Sequence, residues 1–349
     1  LWEALIPVFA LIGMLAYNVL FAYNGPDDNA LGGSNQFILL LGGAVAAIMG
    51  YFTKVPFHKM LDEVANNIKS TAGAILILLM VGALAGTWMV SGIIPSMIYY
   101  GLQILSPAVF LPATLIICSV ISIATGSSWT TSATVGIALI GIGGALGFDL
   151  GMVAGAVISG AYFGDKLSPM SDTTNLAPAM AGTDLFTHIK YMTFTTIPTY
   201  VITLLLFIIL GLSVEVTGDA NTDDLLNSIT TSFNVTPWLF LVPVIVIGLI
   251  VKKTEPLVAL LVGTLLAGIF AIIFQPEIVT QITKADSLTF KSAYKGVMQA
   301  ITTEVIVPTE NKTLADLFTS GGMAKMLPTI WLILCAMVFG GIMDAIGAL

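Results

Sequence analysis

Long apolar runs constrain this chain more than any other feature. Trp2–Tyr23, Asn35–Thr53, Thr71–Ile93, Tyr191–Leu212, Pro256–Phe274 and Pro328–Leu349 are almost free of charge. A helix needs about 17–25 such residues to cross a bilayer, and the alternating pattern of an outer-membrane barrel is missing. Only 9% of the 349 residues are charged, against roughly 25% in a soluble domain. The expectation is an all-α polytopic membrane protein. Pro107–Ala124, Trp129–Leu146, Leu150–Tyr162 and Thr236–Val251 supply further apolar arms, and Ile94–Leu105 reads as an interfacial piece.

Charge sets the orientation. Lys54, Lys59, Lys69, Lys166, Lys190, Lys252 and Lys253 lie in short connections, which places these connections on the cytoplasmic side. The acidic loop around Asp27, the one around Asp219 and the mixed-charge loop 275–327 then face outward. Within a net charge of −8 the acids cluster in a few loops, and no basic stripe suggests nucleic acid as a partner. The only cysteines, Cys118 and Cys335, sit inside apolar runs, and His58 and His188 are too far apart to pair on a metal. We expect no cofactor and no enzyme activity. The first span serves as its own insertion signal, and the start at Leu1 rather than Met leads us to expect a trimmed N-terminus.

One stretch breaks the hydrocarbon pattern. Residues 125–175 are crowded with hydroxyls, glycines and three aspartates, and polar groups at membrane depth persist where they line a cavity or pack inside protein. Ser127, Thr130, Thr131 and Thr134 fall at i, i+3, i+4 and i+7, one face of a helix, with Ser128 beside them. Gly126 invites a break, so a half-helix starting near Ser127 would offer free N–H groups to a carboxylate, and its hydroxyls would suit a partly dehydrated Na⁺. The competing reading is hydrogen bonding between helices.

The second polar cluster begins at Asp165 and runs through Asp172, Thr173, Thr174 and Asn175. Pro169 breaks any helix there, and the freed carbonyls with Asp165, Asp172 and Asn175 make an oxygen-rich set for Na⁺. A carboxylate in a low-dielectric pocket holds its proton more tightly, so that H⁺ and Na⁺ compete for it. Against this stands an interfacial loop in which Asp165 pairs with Lys166 or caps a helix. Asp149 reads as a cap, Asp184 and His188 as a solvated pair, and Asp344 as either a counterpart site or an interfacial acid. Gly151, Gly155 and Ser159, and Gly160 with Gly164, have the small-residue spacing of close helix contacts.

The chain also echoes itself. Trp2, Pro7 and Val8 match Trp238, Pro243 and Val244; Leu40–Gly43 match Leu260–Gly263; and Ile75, Gly86 and Gly92 match Ile330, Gly341 and Gly347. The blocks keep their order but cross the membrane in opposite senses, the mark of inverted-topology repeats with broken or re-entrant helices. The expected domains are 1–212 (first repeat with the ion site), 213–235 (acidic connector) and 236–349 (first part of the second repeat). Because the second unit stops soon after Gly347, we expect its broken helix to lie beyond Leu349.

The strings GSSWTTSATVG, AVISGAYFGDKLSPMSDTTNLAP and AGTDLFTHIKYM resemble the NhaC family of Na⁺/H⁺ antiporters over roughly residues 120–200. The resemblance implies exchange of Na⁺ for H⁺ across a bacterial or archaeal inner membrane by alternating access. Some relatives exchange malate and protons for lactate and Na⁺, which leaves small organic acids as the alternative cargo. Its partners would be Na⁺, H⁺ and the lipid bilayer, and a homodimer is compatible with such a chain. An intramembrane aspartyl protease fits less well, since it needs two facing aspartates.

Overall fold

The computed structural model describes residues 2–25, 32–104, 106–168, 171, 174, 177–178, 183–213, 222–252, 254–308 and 318–348. Six of its helices are long and apolar enough to cross a membrane. The helices form two compact units, Leu1–Leu79 with Met323–Leu349, and Met80–Gly322.

The first unit holds α1 (Trp2–Tyr17, running into a π turn at Asn18–Ala22), α2 (Ser34–Phe52), the first part of α3 (Phe57–Val90), and the last helix, Leu327–Ala345. Lys59 and Lys69, read above as lying in a short connection, are instead in the first turns of the 34-residue α3. No proline or glycine interrupts residues 57–72, so the helix has no reason to break. Small residues let the helices close. A methyl group on Gly42 of α2 would meet Leu11 at 3.0 Å and Phe339 at 3.3 Å. One on Gly341 would strike the Val64 backbone at 2.6 Å. Ala46, Met60, Val64, Ile342 and Met343 fill the core around these contacts. The amide of Asn18 donates to Ser34 Oγ and Asn35 Oδ1, both at 2.8 Å, and ties the end of α1 to the start of α2.

The second unit contains the remainder of α3, α4 (Ile93–Ile104), α5 (Pro107–Thr125), α6 (Ser128–Thr131), a π turn (Ser132–Gly136), α7 (Ile137–Ala145), α8 (Leu150–Leu167) and α9 (Leu185–Ser213). Then follow α10 (Thr222–Ser232), α11 (Leu241–Val251), α12 (Pro256–Phe274), α13 (Pro276–Thr283), α14 (Phe290–Thr302) and an antiparallel pair, Val305–Ile306 with Thr319–Ser320. The final helix of the first unit is α15. Rather than an interfacial piece, α4 buries Ile93, Ile94, Ile98 and Leu102. The region 275–327, read as a loop, holds two helices and the strand pair. A Thr289–Ser292 capping box starts α14, and Ala293, Gly296 and Ala300 form its buried face. Gly86 of α3 lies directly on the Ala300 carbonyl, and Gly263 of α12 faces Val246 and Leu84.

Among the described residues the most extensive helix contact joins α5 to α8. Gly160 rests on the Leu115 carbonyl and Gly164 on the Ser119 carbonyl, with Ile123 N 2.6 Å from where a methyl would sit. Gly155 behaves differently: a methyl there would meet only Phe207, at 3.8 Å. Of the small residues expected to make close contacts, Gly160 and Gly164 do so.

Candidate functional site

The α5–α8 seam ends in the polar break. Gly126 adopts φ +69°, a left-handed conformation that closes α5, and its N–H donates to Ser122 O at 2.8 Å. Glycine meets no steric penalty there. Ser127 is extended and caps the next helix: its Oγ accepts from Thr130 N at 3.2 Å and from Thr130 Oγ1 at 3.0 Å. The first intrahelical bond is Thr131 N to Ser127 O, which leaves the N–H groups of Ser128 and Trp129 without an intrahelical acceptor. A half-helix begins here, as its composition predicts.

The hydroxyl stripe is less regular than a plain helix face. The π turn inserts one residue of phase between Thr131 and Thr134. Thr131 Oγ1 donates to Ser127 O at 2.9 Å and Thr134 Oγ1 to Thr130 O at 2.8 Å, and a hydroxyl that donates in this way can still accept through its oxygen. Ser128, Thr130, Thr131 and Thr134 are all buried.

Asp165 meets this break from α8. It is only 9% exposed, and its Oδ2 accepts from Ser128 Oγ at 3.0 Å. Among the described residues this is the carboxylate's one hydrogen bond, and no Lys166 ammonium pairs with it. Two successive helix positions diverge by about 100°, which turns Lys166 away. Thr174 Oγ1 donates to the carbonyls of Asp165 and Lys166 at 3.0 and 3.3 Å and satisfies the orphan acceptors at the end of α8. Ser122, from α5, donates to Ala161 O, and Ser168 donates to Ile123 O at 2.8 Å. Ser122 and Ser168 were not among the expected site residues. A lone serine in an apolar run gives no sign of which distant carbonyl it serves.

Asp172, Thr173 and Asn175 lie outside the described residues. The remaining acids have local roles. Asp149 caps α8 by accepting from Met152 N at 3.0 Å. Asp184 accepts from Thr187 N at 2.9 Å, a cap on α9 rather than a partner for His188. Asp344 is exposed and accepts from Asn67 at 2.9 Å. Among the described residues no three His, Cys, Asp or Glu side chains converge as a metal site.

A buried carboxylate against a half-helix, within a bundle of long apolar helices, defines a polytopic membrane protein of transporter type. Family comparison matches residues 160–349 to the Na⁺/H⁺ antiporter family, and the chain belongs to that family, which is one of transporters and not of enzymes. It is 37% identical over 319 residues to the malate-2H⁺/Na⁺-lactate antiporter of Bacillus subtilis (90% of this chain, 64% of that protein). It is 35% identical over 305 residues to the Na⁺/H⁺ antiporter NhaC of Alkalihalophilus pseudofirmus (87% and 63%). With the arginine/ornithine antiporter ArcD of Halobacterium salinarum it shares 32% over 352 residues (99% and 68%). The chain thus spans less than two-thirds of the length of the first two relatives. No solved structure matches it. These kinships and its long apolar helices make it a multi-pass protein of the bacterial or archaeal (inner) membrane.

Proposed function

We propose that this chain carries out secondary active antiport coupled to Na⁺ and H⁺, with a small organic acid as the exchanged cargo. The observation that carries the coupling is Asp165, a buried carboxylate whose single described partner is the Ser128 hydroxyl. An ionised carboxylate out of water is costly unless a counter-charge accompanies it. A transported Na⁺ or H⁺ supplies that charge, and because one carboxylate serves both, they compete and exchange. The hydroxyl oxygens of Ser127, Ser128, Thr130, Thr131 and Thr134 line the path of the ion, while the free N–H groups at the start of the half-helix suit an anion. Asp172, Thr173, Thr174 and Asn175 are assigned to the same ion site on their position in the sequence.

The organic-acid cargo is favoured over bare Na⁺/H⁺ exchange because kinship extends over 90% of the chain to a protein named for malate and lactate. It also extends over 99% to one named for arginine and ornithine. The second reading, Na⁺/H⁺ exchange alone, rests on the likeness to NhaC.

The inverted-repeat reading, with domains 1–212, 213–235 and 236–349, has support in packing. Gly341 presses on Val64 and Gly86 on Ala300, each in its own unit. Gly92 and Gly347 both take positive φ, +78° and +71°. Gly43 meets Phe339 at 3.7 Å, while its counterpart Gly263 meets Leu84 at 3.0 Å, and Leu84 and Phe339 occupy the same register of the matched third helices.

The test is dissipation of a pH gradient in proteoliposomes of the full-length protein on adding Na⁺, K⁺ or malate. Malate-dependent Na⁺ flux is expected, and Asp165→Asn or Asp172→Asn should abolish it. Retained exchange in Asp165→Asn would remove that residue from the mechanism, and a Na⁺ response indifferent to malate and lactate would leave the second reading.

A further inference from the structure

Beside the break, α8 and α9 line a half-open cavity of about 330 Å³, within the range of small-molecule sites. Its one charged lining residue is Lys166, the immediate neighbour of Asp165 and about 100° around α8 from it. Among the described residues its ammonium has no ion-pair partner.

The hydroxyls of the wall fall into two sets. Thr195, Thr199 and Thr203 donate back to their own helix, at 3.1, 2.7 and 2.9 Å, the usual behaviour of a threonine with nothing else to bind. Thr196 and Ser159 make no such bond among the described residues, so their protons are available to the cavity. Tyr200 is not a third donor. Ser119 has one hydroxyl proton, which the Leu115 carbonyl accepts at 2.7 Å, so the Tyr200 phenol, 3.0 Å from Ser119 Oγ, donates to that oxygen and is spent. Its ring is held against Phe163, with centroids 3.8 Å apart. An ammonium and two uncommitted hydroxyl donors, with no acidic side chain in the wall, are the complement of an anion.

We propose that this cavity is the carboxylate-binding site, taking a small organic acid between Lys166 and the hydroxyls of Ser159 and Thr196. The proposal rests on the organic-acid reading of function and gives it a location. Adjacent positions of one helix then hold the two halves of the cargo: the cation at Asp165 and the carboxylate at Lys166. A lysine at a helix C-terminus also complements the helix dipole, but that role requires neither the cavity nor the unspent hydroxyls.

The experiment is equilibrium binding of radiolabelled malate to the purified full-length protein in phosphatidylcholine nanodiscs, alongside malate-dependent Na⁺ flux. Lys166→Gln should weaken binding at least tenfold, and Lys166→Arg, which keeps the charge, should restore most of it. Should Lys166→Gln fail to fold, malate is expected to protect Thr196→Cys from a methanethiosulfonate reagent. Wild-type binding in Lys166→Gln, or labelling of Thr196→Cys indifferent to malate, overturns the site while malate-dependent flux would keep the functional reading intact. Absence of both binding and malate-dependent flux in the wild type overturns both. Binding that vanishes when phosphatidylglycerol replaces part of the lipid would assign the cavity to an anionic headgroup and overturn the proposal.

Discussion

The two sides of α8 are built on opposite rules. Toward α5 and the half-helix, Gly160 and Gly164 let backbones touch, and the hydroxyls of Ser122, Ser128 and Ser168 are each committed to a partner. Toward α9, the same helix leaves a cavity and hydroxyl groups uncommitted. The first side holds one carboxylate in a fixed place, while the second leaves room for something to arrive. Close packing and spare donors are thus separated by a quarter to a third of a turn of one helix, which teaches that rigidity and binding need not compete for the same surface.

Substitutions should separate the two sides, the largest effect first. Gly164→Val drives a branched side chain into the α5 backbone and is expected to cost about 3 kcal/mol. Detergent-solubilised protein should lose its monodisperse peak on size exclusion, and a normal peak would mean the seam is looser than described. Ser128→Ala removes the carboxylate's described partner. A hydrogen bond to a charged group contributes about 1.5–3 kcal/mol, so Na⁺-dependent exchange should fall at least tenfold, with apparent Na⁺ affinity as the readout. Thr174→Val uncovers the carbonyls at the end of α8 and should lower stability by about 1 kcal/mol, seen as a lower thermal midpoint. Gly155→Val, on the open side, should change that midpoint by no more than about 0.5 kcal/mol equivalent. An effect as large as that of Gly164→Val would erase the contrast between the sides.

Much of this was legible in the chain itself. Apolar length marked the long spans, since a bilayer imposes a length that composition records directly. The break at Gly126 and Ser127 was legible because a glycine and a capping serine act locally, on their own neighbours. What escaped depends on partners distant in sequence. Ala293, Gly296 and Ala300 have helical spacing, but Lys291 and Lys295 lie among them, so the segment reads as a polar loop until α13, α12 and α3 cover its small face. The regular stripe from Ser127 to Thr134 was likewise an assumption of uniform pitch. The cavity needed the pairing of α8 with α9, which no local pattern encodes.

That pitch has a consequence of its own. The π turn at Ser132–Gly136 works as a phase offset: residues before it are rotated, relative to α7, from where an uninterrupted α-helix would put them, by about 100° for the one added residue. Ser128 reaches Asp165 in that rotated setting. The offset thus decouples two requirements that a uniform helix would lock together, the fit of α7 among its neighbours and the bearing of Ser128. Shortening the turn by one residue would leave every side chain of the half-helix in the chain and swing the whole set off its target.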